Sequence, residues 1–132
     1  MKPQTREQLN IAWYGYANPH PEHYDSTRYR AINLNNVWRM GTVEIRAFNG
    51  CNHAGTVKTA VVLALMIAAK AKIAKCASTK KPREYNEESA AYDMRVFLLH
   101  LQAIGPEFKN FRKYLLDNLP GTKAWKHGRP NA

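Results

Sequence analysis

Hydrophobic and polar positions follow two different periods along the chain, and together they predict an α+β protein. The first segment is helical: Thr5 stands three residues before Gln8, the spacing of a helix N-cap, and an apolar stripe follows until Gly15 interrupts it. Residues 17–27 contain two prolines and show no period, which indicates a loop. A short N-terminal helix followed by an irregular segment is therefore expected.

A short antiparallel β-hairpin is expected next. Residues 28–35 and 42–48 alternate in the manner of strands, and the second segment places Glu44 and Arg46 on one face. Residues 39–41, which end in glycine, are predicted to form the turn between them. Because both edges of such a hairpin are unpaired, a homo-oligomer or a completing partner chain is expected to cover them.

The rest of the chain has a helical pattern. Three main helices are predicted at residues 57–77, 87–104 and 106–119, and the apolar middle of the first should be covered on more than one side. The longest run without charge or strong polarity, residues 60–69, is about half of the ~20 residues that a bilayer span needs, so no membrane partner is expected. The whole chain, residues 1–132, is predicted to be a single domain.

Composition adds a strong positive charge to this picture. Twenty Lys and Arg residues stand against ten Asp and Glu residues, and no acidic residue occurs between Ile45 and Arg83. Such a field favours a polyanion: nucleic acid or a nucleoprotein, an acidic protein surface, or a phosphorylated substrate. A solubilising lysine-rich face is an equally good explanation. The residues expected to bind a polyanion are Lys70, Lys72, Lys75, Lys80, Lys81 and Arg83.

The cysteines indicate the compartment. Cys51 and Cys76 have the spacing of neither a disulfide framework nor a zinc site, so both thiols are expected to be free. The first residues lead into no apolar segment of the kind found in signal peptides. The predicted location is therefore the cytoplasm of the host cell.

Glu44 and Arg46 are the main candidates for chemistry. At positions i and i+2 of a strand their side chains lie about 6–7 Å apart, close enough to serve one ligand. A carboxylate beside a guanidinium is costly to bury without a function, but a partly exposed ion pair on a strand explains the pattern as well.

Aromatic residues are frequent in the N-terminal third of the chain. They interleave with arginines, so they could stack on nucleic-acid bases, or they could simply pack around the hairpin. The aromatic residues are Trp13, Tyr14, Tyr16, Tyr24, Tyr29 and Trp38, and the arginines are Arg28, Arg30 and Arg39.

Several segments resemble the amidoligase family. The resemblance is carried by residues 23–35, by Gly-Thr-Val-Glu-Ile-Arg-Ala-Phe-Asn-Gly at 41–50, by His-Ala-Gly at 53–55, and by residues 97–109 and 124–125. Amidoligases are ATP-dependent carboxylate–amine ligases related to glutamine synthetase and γ-glutamylcysteine ligase. Many of them appear on mobile elements, including phages.

The resemblance implies roles for five residues. Glu44 would bind Mg²⁺, and Arg46 would contact phosphate or the substrate carboxylate, so these two are the catalytic candidates. Arg28 and Asn33 would line the same cleft as substrate- or phosphate-binding residues. His53 is grouped with them because it matches a family position, although a helix-capping histidine is the simpler interpretation.

The chain also departs from the family. Family members are longer and carry an N-terminal half with its own acidic strands. Activation of a carboxylate by ATP uses two or more Mg²⁺ ions held by carboxylate oxygens, whereas Glu44 is the one acidic residue on a predicted strand here. The chain is therefore expected to be a C-terminal lobe that needs a completing chain before it uses Mg²⁺ and ATP.

A second function stays open beside the ligase lobe. The chain could be a stand-alone basic binding protein from a mobile element, without a cofactor, that acts on nucleic acid or on a nucleoprotein. Inhibition of a CRISPR nuclease, an anti-CRISPR activity, is one example of such a counter-defence role.

Overall fold

The computed structural model describes residues 3–76 and 84–128 of the chain. It confirms the α+β class, because the described residues form five α-helices and one two-stranded antiparallel sheet. Contacts group the chain into two compact units, Met1–Gly50 and Cys51–Ala132, and each is described by itself. The single-domain assignment stays a prediction.

The first unit contains the N-terminal helix and the sheet. Helix α1 begins after Thr5, whose hydroxyl accepts a hydrogen bond from the Gln8 N–H at 3.2 Å, and it ends at Gly15 with φ of 84°. The predicted capping residue and the predicted stop are therefore confirmed. In chain order the elements are α1 (Arg6–Tyr14), a 3₁₀ turn (Ser26–Tyr29), β1 (Ile32–Asn33), α2 (Asn35–Met40) and β2 (Glu44–Ile45).

The predicted hairpin is present, but its connection differs from the expectation. Strands β1 and β2 pair antiparallel with Asn33 opposite Glu44, and each is only two residues long. The turn predicted at residues 39–41 is wrong, because α2 fills the connection and Gly41 ends it at φ of 75°. The Asn33 side chain accepts a hydrogen bond from the Asn35 N–H at 2.8 Å, so it draws the backbone out of the strand into this helix.

The interior of the first unit is mostly polar. Its buried side chains are those of Pro21 and three asparagines, Asn10, Asn33 and Asn35. The Asn10 amide pairs with the backbone of Asn18 in both directions, at 2.7 and 2.8 Å. This unit therefore depends on satisfied buried amides more than on apolar burial.

The second unit is helical and contains the hydrophobic core. Helix α5 packs against both α3 and α4. The core comprises Leu63, Leu98, Leu101, Ala103, Phe111 and Leu116. The elements are α3 (Ala54–Ile73), α4 (Ala90–His100), a 3₁₀ turn (Pro106–Phe108) and α5 (Lys109–Leu116), so the three predicted helices exist with shifted ends.

Helix α3 carries apolar residues on its outer side. Leu63 faces the core, whereas Val57, Val61 and Leu65 are 47%, 54% and 64% exposed, so the expected cover on more than one side is not found among the described residues. The helix is also long and apolar enough to cross a bilayer, by length and composition only. This removes the length argument against a span, and the absence of a membrane partner stays a prediction.

Candidate functional site

Glu44 and Arg46 lie side by side, as the strand spacing predicts. Glu44 is on β2 and Arg46 follows that strand, where its N–H donates to the Ala31 carbonyl at 2.7 Å and extends the ladder. Arg46 Nη1 is 3.5 Å from Glu44 Oε1. Both side chains are partly exposed, so the pair is open to a ligand.

Asn33 holds the other oxygen of the carboxylate. Its Nδ2 donates to Glu44 Oε2 at 2.7 Å across the sheet, and its Oδ1 accepts from the Asn35 N–H. Because Asn33 is only 2% exposed, its amide has little freedom to turn away from Glu44. Glu44 is therefore fixed by a buried amide on one oxygen and faces a guanidinium on the other.

The network continues inward through Asn35, which sequence reasoning missed, and through Tyr14, which it considered only for stacking or packing. Asn35 is 1% exposed, donates through Nδ2 to the Glu22 carbonyl at 2.8 Å, and accepts a hydrogen bond from the Tyr14 hydroxyl. Burial raises the pKa of the Tyr14 phenol and nearby Asp25 adds to the rise, so the hydroxyl keeps its proton at neutral pH. The Asn-x-Asn pattern at 33–35 was the available signal for this network.

Arg28, which is half-buried, lies in a group of arginine and tyrosine side chains, Tyr24, Arg28, Tyr29 and Arg46, which we call the Arg–Tyr surface. The Arg28 guanidinium is 5.0 Å from the Tyr24 ring centre and 5.8 Å from that of Tyr29, and the Arg46 guanidinium is 5.4 Å from Tyr29. Tyr24 and Tyr29 are 76% and 68% exposed. The Tyr29 ring thus connects Arg28 with the Glu44–Arg46 pair.

His53 belongs to the second unit and caps α3. Its Nδ1 accepts a hydrogen bond from the Thr56 N–H at 3.2 Å, and its ring centre lies 5.3 Å from that of Tyr114. These contacts fit the capping interpretation. A role in substrate or phosphate binding stays a prediction.

Three of the predicted polyanion-binding lysines are exposed near one helix end. Lys70 and Lys72 lie in the last turn of α3, and Lys75 follows shortly after it. Lys80, Lys81 and Arg83 lie outside the described residues. The structure therefore places half of the predicted set on one accessible segment.

The described residues do not form a magnesium site by themselves. No group of three or more His, Cys, Asp or Glu side chains that could hold a metal ion occurs in residues 3–76 and 84–128. Both oxygens of Glu44 are already engaged, by Asn33 and by Arg46. What the pair offers is one oriented carboxylate beside the N–H donors of a guanidinium, which suit a carboxylate or a phosphate.

The comparison with known families assigns the chain. The sequence model of a family described as "Putative amidoligase enzyme" matches residues 1–68, which include α1, the sheet and most of α3. The resembling segments at 97–109 and 124–125 lie beyond this match. No curated protein and no solved structure matches the chain. With more than half of its residues matched by that model, the chain belongs to the amidoligase family.

Proposed function

We propose that this chain is the C-terminal lobe of a carboxylate–amine ligase and that a completing polypeptide supplies the remaining acidic residues of the site. Glu44 and Arg46 are its contribution to the chemistry. Mg²⁺ and ATP are cofactors of the completed site, since one carboxylate cannot hold the ions that ATP chemistry uses. The substrates are a carboxylic acid and an amine.

The observation that carries this proposal is the fixed orientation of Glu44. A solvated surface ion pair needs no buried support, yet here Asn33 and Asn35 are almost fully buried behind the carboxylate. Preorganisation of this kind is typical of sites that bind charged ligands, because the fixed groups need not reorganise when the ligand arrives. Arg46 keeps further N–H donors for an anionic substrate group.

The exposed side of α3 supports the need for a partner. Val57, Val61 and Leu65 recur every four residues and therefore lie on one face of the helix. A contiguous exposed apolar face is the kind of surface that a partner chain covers. We assign this face to the completing chain of the ligase.

The proposal is tested by adding a completing chain. We expect the isolated protein to release no phosphate from Mg–ATP and to show no micromolar Mg–ATP binding by calorimetry. A candidate partner is any chain encoded immediately upstream that carries the missing acidic residues; it would be purified together with this chain and assayed for phosphate release with mixed carboxylates and amines. Glu44→Gln and Arg46→Gln should each abolish that release.

Matched controls are available on the same unit. Glu22→Gln and Arg39→Gln remove the same charges from exposed positions outside the Glu44–Arg46 pair and should retain release. Micromolar Mg–ATP binding by the isolated chain that Glu44→Gln removes would show a self-sufficient site and contradict the lobe model. If the two chains together release phosphate and Glu44→Gln leaves that release unchanged, Glu44 takes no part in the reaction and the proposed role of this chain is wrong.

A second function is favoured by two separate features, the Arg–Tyr surface of the first unit and the lysines of α3 in the second. Exposed tyrosine rings with guanidinium groups beside them are suited to stack on the bases of a single strand while cations meet its phosphates. A stand-alone protein that binds nucleic acid or a nucleoprotein, for example to counter a host CRISPR nuclease, would use these residues. It would need neither ATP nor a metal.

A further inference from the structure

The connection between β2 and α3 contains an asparagine followed directly by a glycine, a pair that occurs once in the chain. Asn49 and Gly50 lie outside helices and strands, and every residue from 47 to 53 is exposed. Exposed irregular segments are where a backbone rearranges most easily. The pair is therefore accessible to water and is not held by regular secondary structure.

The reactive groups of this pair have no protein partner within the described residues. The Asn49 side-chain amide forms no hydrogen bond there, and the Gly50 N–H donates to no acceptor. Gly50 has no Cβ atom, and a Cβ built on it would meet no atom within 4 Å, so the space around this residue is open. By contrast, the amides of Asn10 and Asn33 are buried and hydrogen-bonded.

From these features we infer that Asn49 is a site of spontaneous deamidation, a covalent modification whose only co-reactant is water. The Gly50 nitrogen bonds to Asn49 Cγ, and the side-chain amino group leaves with the Gly50 amide proton as ammonia. The product is a cyclic succinimide. Water then opens the ring: cleavage of its bond to Cγ gives aspartate, and cleavage at the backbone carbonyl gives isoaspartate. In total one water is consumed and one ammonia is released.

The modification changes the charge of a segment that has no acid of its own. Either product carries a carboxylate between Ile45 and Arg83, where the unmodified chain has no acidic residue, and the net charge falls from +10 to +9. Isoaspartate also adds one carbon to the main chain between Asn49 and Gly50, the last two residues of the first unit. The inference rests on neither proposed function, because these residues belong neither to the Glu44–Arg46 pair nor to the Arg–Tyr surface.

The test follows the full-length protein by mass spectrometry during incubation at neutral pH and physiological temperature. Peptide mapping should show the mass change of an amide becoming an acid at Asn49, and an isoaspartyl methyltransferase, used as a reagent, should label the same peptide. Asn52 is the internal control, because it is also exposed and forms no hydrogen bond in the described chain, but His53 follows it. The His53 side chain hinders attack by its own nitrogen, so Asn52 should convert about tenfold more slowly or less.

Two variants separate the roles of the two residues. Gly50→Ala adds a methyl group that meets no other atom, so the fold should be retained, but this group hinders the attacking nitrogen and should slow conversion about tenfold. Asn49→Gln keeps an amide but would need a larger ring, so conversion should stop. Because both positions are exposed, neither variant should prevent folding.

A synthetic peptide of residues 45–53 gives the rate of conversion with no fold around the pair. We expect Asn49 to convert in the protein at nearly the rate of the peptide. A rate about tenfold lower in the protein would show that the fold protects the pair and would overturn the inference. Equal conversion of Asn49 and Asn52, or unchanged conversion in Gly50→Ala, would also overturn it. None of these results bears on the Glu44→Gln assay, so this inference and the proposed function fail separately.

Discussion

Asn33 is the residue on which the candidate site depends most directly. Its amide uses both ends at once: Nδ2 donates to Glu44 on the neighbouring strand, and Oδ1 accepts from the Asn35 N–H that begins α2. One side chain therefore sets the orientation of the carboxylate and the start of the helix. A leucine has the same branched shape, although its methyl groups make it larger, and it can do neither.

Asn33→Leu should accordingly lower the free energy of unfolding by about 1–3 kcal/mol, since it leaves the buried Asn35 N–H without a partner. The measurement is a urea titration. Asn49→Leu is the matched control, because Asn49 is exposed and forms no hydrogen bond in the described chain, and it should change stability little. Equal losses in the two variants would show that the Asn33 network contributes nothing specific.

At the scale of elements, the hydrophobic pattern predicted the long helices correctly. It failed where a side-chain hydrogen bond changed the course of the backbone. The 3.6-residue period located α3, α4 and α5, and the Thr5 spacing located α1. Alternation located the residues that pair in the sheet. It could not reveal α2, because that helix depends on a hydrogen bond between the side chain of Asn33 and the next element, which no periodicity contains.

The residues of the candidate site likewise include some that the sequence predicted and some that it did not. The strand spacing brought Glu44 and Arg46 together correctly, since it follows from β geometry alone. The inner members, Asn35 and Tyr14, are 21 residues apart in sequence and meet only in the fold. Because buried asparagines are polar, they do not contribute to a hydrophobic pattern, and a prediction from hydrophobic positions does not identify them.

Gly41 offers a test of the element that the sequence did not predict. It ends α2 at φ of 75°, a left-handed conformation that an alanine adopts at a cost of about 1 kcal/mol, and a Cβ there would meet no atom within 4 Å. Gly41→Ala should therefore lower the melting temperature for conformational reasons alone. Gly50→Ala is the control, since it also meets nothing within 4 Å but has no left-handed φ. Equal melting temperatures for the two variants would contradict a left-handed helix end at Gly41.

At the scale of the whole molecule, the two units are stabilised in different ways. The first has a polar interior of asparagines and presents the Glu44–Arg46 pair and the Arg–Tyr surface, whereas the second has the apolar core and the lysines of α3. The net charge of +10 belongs to the chain as a whole and favours polyanions at long range. If that charge binds a polyanion, the affinity should depend on which lysines are present and on the salt concentration.

If the end of α3 binds nucleic acid, Lys72→Gln together with Lys75→Gln should weaken binding to a single-stranded oligonucleotide and make its salt dependence less steep. Each phosphate contact on a single strand contributes about 0.7 to the slope of log affinity against log salt, so losing two should reduce the slope by about 1.4. Fluorescence anisotropy over a series of salt concentrations measures both quantities.

The control variant, Lys109→Gln together with Lys126→Gln, removes the same net charge elsewhere. It should lower affinity slightly without changing the slope by that amount. Lys72, Lys75 and Lys109 are exposed and Lys126 is partly exposed and forms no ion pair in the described chain, so the melting temperatures of both variants should stay close to that of the original chain. Identical slopes for the two double variants would show that the positive charge of α3 only keeps the protein soluble.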